Sequence, residues 1–61
     1  MYKISNHAAA FLMHQWYLND GVDIAFKVCL GDVVDTKPGE RFDMDICLIV
    51  KHEDGWYICK D

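Results

Sequence analysis

At 61 residues the chain has room for a single domain, residues 1–61, and 52% of it is hydrophobic and spread along its length, which excludes a disordered chain and points to a real core. Six Lys and Arg against ten Asp and Glu give a formal net charge of −4, so Coulomb repulsion disfavours direct binding to nucleic acid or an anionic membrane and favours a basic protein partner. No apolar run approaches the roughly 20 residues of a membrane span, and the start, Met1-Tyr2-Lys3-Ile4-Ser5-Asn6, lacks the basic region and apolar core of a signal peptide, so the expected compartment is the cytoplasm.

In chain order, Ser5 and Asn6 are both good N-cap residues, and His7 to Asn19 runs without Gly or Pro to Gly21, a left-handed stop. This predicts one helix, with Ala9, Leu12, Met13, Trp16 and Tyr17 on the core side and His7, Phe11, His14 and Leu18 opposite. From Val22 the period changes to two: Val22, Ile24, Phe26, Val28 and Leu30 alternate with Asp23, Ala25, Lys27 and Cys29, which predicts a first strand. Arg41 to Lys51 repeats the alternation, with Phe42, Met44, Ile46, Leu48 and Val50 inward, and Trp56 to Lys60 is a shorter third strand.

Lys37-Pro38-Gly39-Glu40 suits a type II turn and Glu53-Asp54-Gly55 a type I turn closed by glycine. The second turn sets His52 opposite Trp56, Val50 opposite Ile58 and Ile49 opposite Cys59. The first requires a β-bulge near Gly31-Asp32 to keep inward residues facing one another, and then pairs Leu30 with Ile46, Val28 with Leu48 and Cys29 with Cys47. The expected fold class is α+β: one N-terminal helix packed on a three-stranded antiparallel meander. No internal repeat or linker interrupts it.

Little in this chain has the form of a catalytic motif. Cys29, Cys47 and Cys59 are an odd number without paired short spacing, so reduced thiols are the default, ahead of a cross-strand disulfide or a thiolate metal site. His7 and His14 stand seven residues apart, about 10.5 Å along a helix, too far to share one ion. No local motif makes a nucleophile of a thiol near His52, and a sheet this small offers Asp43 and Asp45 no deep cleft for paired-carboxylate chemistry. The expectation is a protein that is not an enzyme and that carries no metal and no cofactor.

Surface features carry more of the signal. Asp32, Asp35, Glu40, Asp43 and Asp45 gather around the first hairpin with only Lys37 and Arg41 among them, which reads either as a solvated edge that discourages aggregation or as an acidic surface complementary to a basic groove. Ala25, Cys29, Cys47, Ile49, Tyr57 and Cys59 form an apolar strip on the sheet face a single helix leaves open, suited to a partner or to a homodimer.

Val50-Lys51-His52-Glu53-Asp54-Gly55-Trp56-Tyr57-Ile58 resembles the closing hairpin of cystatin-like and NTF2-like α+β domains, where an acidic-Gly-Trp turn joins the last two strands. The match covers about a sixth of the chain and implies a cystatin-like form; NTF2-like domains are about twice this length, and their pocket does not carry over. The outline as a whole, short, acidic and helix-then-sheet, resembles the small anti-CRISPR inhibitors of phages, some of which act on type I systems. That resemblance implies a host-cytoplasmic phage protein that blocks DNA access by occupying the basic surface of a CRISPR effector subunit, without transferring any family residue to this chain. The expected partner-binding residues are Asp32, Asp35, Glu40, Asp43 and Asp45 for steering, with Ile49 and Tyr57 for affinity. The alternative is a homodimeric cystatin-like or NTF2-like accessory or ligand-binding domain.

Overall fold

The computed structural model describes residues 1–45 and 47–59; Ile46 and Lys60, which the sequence assigns to strands, lie outside that range with Asp61. The elements run β1 (Tyr2–Ile4), α1 (Asn6–Asn19), α2 (Phe26–Asp35), β2 (Arg41–Asp43), β3 (Leu48–His52) and β4 (Gly55–Cys59). The fold is α+β, with two helices and an antiparallel sheet in the order β1-β4-β3-β2. Among the described residues no helix is long and apolar enough to cross a membrane.

Helix α1 begins and ends where its capping residues predict. Of the two candidate N-caps, Ser5 is the one used: its Oγ accepts from the Ala8 N–H at 3.1 Å. At the other end Val22 N–H donates to Tyr17 O at 2.9 Å and Gly21 N–H to Leu18 O at 3.0 Å, the double bond pattern of a Schellman stop. That pattern requires a left-handed residue, and Gly21 supplies it at φ 80°. Ala9, Ala10 and Met13 are buried, with Leu12, Trp16 and Tyr17 partly buried beside them.

The segment predicted as the first strand is the largest correction. Phe26–Asp35 is helical, because Phe26, Cys29, Leu30 and Val33 also fall at the i, i+3, i+4, i+7 spacing of one helix face. Cys29 and Val33 are fully buried, Phe26 and Leu30 pack beside them, and Val28 is left exposed. Helix α2 packs chiefly against α1, where the small side chains of Ala9 and Ala10 permit a close approach. It stops at Thr36, whose N–H and Oγ1 both donate to Asp32 O, at 2.9 and 2.6 Å, two residues before Pro38. The bulge at Gly31-Asp32 and the Cys29–Cys47 pair vanish with the strand.

Gly31 therefore sits inside a helix, exposed, with nothing within 4 Å of where a Cβ would stand. Gly31→Ala should stabilise the domain by about 0.5–1 kcal/mol, read as a higher urea midpoint at unchanged slope. A lowered midpoint would contradict the helical assignment.

The Lys37–Glu40 turn forms as predicted, with Glu40 N–H donating to Lys37 O at 3.3 Å and Gly39 at φ 95°, but it joins α2 to β2 and is not a hairpin. The long strand predicted over Arg41–Lys51 is two strands, folded back on each other across Met44 and Cys47, whose backbones exchange hydrogen bonds at 2.8 and 3.3 Å. The last hairpin forms where expected, but its loop shortens to Glu53-Asp54 and the register moves by one residue: His52 pairs with Gly55, Val50 with Tyr57 and Ile49 with Ile58. That slip exchanges the two faces of β3. Ile49 goes to the core, and Leu48 and Val50 leave it.

The sequence reading also lacks β1, whose Ile4 pairs with Trp56 at the edge of the sheet. Three residues are too few to show a period. Trp56 lies under α2 and its Nε1–H donates to Val33 O at 3.0 Å. Lys51, the residue paired with Trp56 across the strands, donates from Nζ to the same carbonyl at 3.0 Å and stands 5.5 Å from the Trp56 ring centroid. Two donors on one late helical carbonyl, one of them cationic, tie the negative end of α2 to the sheet.

Candidate interaction surface

Helices on one side and bare strands on the other give the molecule two unlike surfaces. On the helix side, the end of α1 meets β2: the Trp16 ring packs edge-on against Phe42 with centroids 5.0 Å apart, and Tyr17 lies 6.1 Å from the same ring. This aromatic ridge separates two shallow clefts. One, of about 230 Å³, is lined by Tyr17, Phe42, Asp32 and Glu40, with Arg41 also at its wall. The other, of about 180 Å³, is lined by Trp16, Leu12, Met44, Asp20 and Asp45. Each cleft thus combines apolar walls with two carboxylates.

The five acidic residues singled out in the sequence are all exposed, and the structure divides them. Asp32 and Glu40 share the first cleft, Asp45 stands in the second with Asp20, and Asp35 lies near the end of α2. Asp43 pairs with Leu48 in β2 and so belongs to the opposite, bare face of the sheet. Among the described residues the salt bridge present is Lys3–Asp54 at 3.4 Å, so the cleft carboxylates face solvent without a bonded cation. Asp20 and the ridge itself were missed by sequence reasoning. Adjacent Trp16 and Tyr17 at the end of α1 are the available sign, although helix periodicity assigns both to the core side.

Ile49 and Tyr57 do not form one patch. Ile49 is completely buried, so it offers no contact to a partner, whereas Tyr57 is on the bare face and donates from its hydroxyl to Asp54 Oδ2 at 2.9 Å. That bond raises the Tyr57 pKa, and it is the first cause holding the Asp54 carboxyl below the ordinary range, with the Lys3 contact adding to it. The proposed strip of Ala25, Cys29, Cys47, Ile49, Tyr57 and Cys59 is dispersed in the same way. Cys29 is inside the core and Ala25 caps α2.

The thiols and imidazoles have structural surroundings. All three cysteines are free, and burial, helped by the nearby Asp32 charge, pushes the Cys29 thiol above its ordinary pKa, which disfavours the nucleophilic thiolate. His7 and His14 both pack on the Phe26 ring, at 5.3 and 5.9 Å, and His14 Nε2–H donates to Ile24 O at 2.8 Å, so this pair holds α1 to the start of α2. Among the described residues no three His, Cys, Asp or Glu side chains come close enough together to hold a metal ion. No family model matches the chain, and neither a curated protein nor a solved structure matches it.

Proposed function

We propose that the protein is a non-enzymatic inhibitor that binds a basic, nucleic-acid-handling protein in the cytoplasm and blocks its access to DNA. The observation that carries this reading is the aromatic ridge with two carboxylates in each flanking cleft, Asp32 and Glu40 on one side and Asp20 and Asp45 on the other. An arginine-rich groove built to hold phosphates presents planar cations, which stack on aromatic faces and pair with carboxylates. The net charge of −4 adds long-range attraction, which speeds encounter with a basic surface and repels competing DNA. A CRISPR effector subunit is a partner of this chemistry. The cystatin-like outline belongs to the same proposal, with α1 laid against antiparallel strands closed by the Glu53-Asp54-Gly55-Trp56 turn.

The test is DNA binding by a purified type I CRISPR effector, with and without the protein. Wild type should suppress DNA binding, and the triple variant Asp32→Lys, Glu40→Lys, Asp45→Lys should associate with the effector about tenfold more slowly or worse while keeping its native circular dichroism. Association of the wild type should also slow as salt is raised from low to physiological concentration, since surface attraction is screened over about 8–10 Å there. Unaltered DNA binding in the presence of wild type, or equal association by the variant, would remove the proposal.

A further inference from the structure

The bare face of the sheet is a second surface, and its composition can be read from the strand register. Residues paired across neighbouring strands share a face, so one row across it is Arg41, Val50, Tyr57 and Lys3, and the next is Asp43, Leu48 and Cys59. Leu48, Val50, Tyr57 and Cys59 are partly buried by their surroundings, yet none of the four packs against the core. Both helices lie on the other side, with Trp56, Ile49 and Phe42.

We infer that this face is the interface of a two-fold homodimer. Its occupant is a second copy of this chain, for reasons of charge. Lys3 and Arg41 on the face are balanced by Asp43 and by Asp54, whose carboxylate is held there by Lys3 and Tyr57. The face is therefore neutral, and the net charge of −4 lies elsewhere on the molecule. Two copies of a chain with net charge −4 can approach through this neutral face without adding to their repulsion.

The rows are also self-complementary. A two-fold axis lying in the interface and crossing the strands between the two rows exchanges one row for the other. It seats Val50 on Leu48 of the second copy, Tyr57 on Cys59 and Arg41 against Asp43, each contact occurring twice, as an isologous interface requires. Two sheets so placed pack as the inner faces of a sandwich do. The exposed apolar residues of the helices, Phe11, Leu18, Val28 and Val34, offer no comparable charge pattern. The dimer leaves the cleft of Trp16, Asp20 and Asp45 open, touches the other cleft at Arg41, and does not depend on the inhibitory role.

Sedimentation equilibrium on the full chain tests this. Wild type should dimerise at micromolar concentration. Arg41→Asp or Asp43→Arg alone places two like-charge contacts across the axis and should raise the dissociation constant about tenfold or more, and the double reversal Arg41→Asp/Asp43→Arg should recover it to within a few-fold. Val50→Glu should give a monomer that keeps native circular dichroism. A wild type that stays monomeric at 100-fold higher concentration, single reversals without effect, or a double reversal no better than the singles would overturn the inference. So would a dimer indifferent to Val50→Glu, which would point to pairing through the edge strands β1 or β2 instead.

Discussion

Replacing Trp56 with alanine should lower the stability of the domain by about 3–5 kcal/mol, a third or more of the total. Trp56 is 1% exposed, the largest fully buried side chain, and it lies on the inner strand β4, paired to Ile4 on one side and Lys51 on the other. Truncating a buried tryptophan to alanine costs about 3–5 kcal/mol in lost burial and residual cavity. A domain of this size has a total stability of about 3–9 kcal/mol. The substitution also removes the indole N–H bond to Val33 O and the ring beside the Lys51 ammonium, loosening the join between α2 and the sheet. Trp56→Phe keeps an aromatic ring in the site and should fold, with reduced stability from the lost hydrogen bond and the smaller volume. Far-UV circular dichroism with urea titration separates these outcomes. A native spectrum for Trp56→Ala with a midpoint close to wild type would show that the core is not organised around this residue.

The elements that were legible in the sequence are those fixed by short-range chemistry. Ser5 and Gly21 bound α1, Pro38-Gly39 makes a turn, and Glu53-Asp54-Gly55 closes the last hairpin, because caps and turns are decided within a few residues. The segment from Val22 to Leu30 satisfied two periods at once. Its alternation fits a strand, and from Phe26 onward the same residues fit a helix. Gly31, a poor helix former, gives no local support to the helix, and the bulge near it follows only from the strand register. What decides the matter is distant: Cys29 and Val33 bury themselves in the core that Ala9, Ala10 and Met13 of α1 also build. Local propensity cannot see that contact.

The surface followed the fold. Acidic clustering was legible as charge along the chain, but its division between two faces was not. Asp32 reaches the cleft beside Glu40 only because it is carried on a helix, while Asp43 is sent to the opposite face by its pairing with Leu48. An open sheet face was expected, and one is present, but Leu48 and Val50 replace Ile49 on it. The cause is a single residue. The last hairpin has a two-residue loop, Glu53-Asp54, where a three-residue loop including Gly55 was expected, and the shift inverts every side chain of β3 relative to β4.

That inversion can be measured on single side chains. Ile49→Ala should cost about 2–5 kcal/mol, the range for truncating a large aliphatic side chain in a packed core, because Ile49 is fully buried beside Trp56 and Val33 in the same cluster. Val50→Ala, one residue along, should cost about 1 kcal/mol in the monomer, since Val50 leaves the core untouched and loses mainly cross-strand contact with Arg41 and Tyr57. Urea unfolding at protein concentrations low enough to hold the chain monomeric gives both values without interference from association. The alternating pattern Phe42, Met44, Ile46, Leu48, Val50 predicts the opposite order, with Val50 costly and Ile49 cheap. If Val50→Ala proved the more damaging of the two, the register of β3 and β4 would be shifted by one, Val50 would be a core residue, and the self-complementary rows on the bare face would no longer exist.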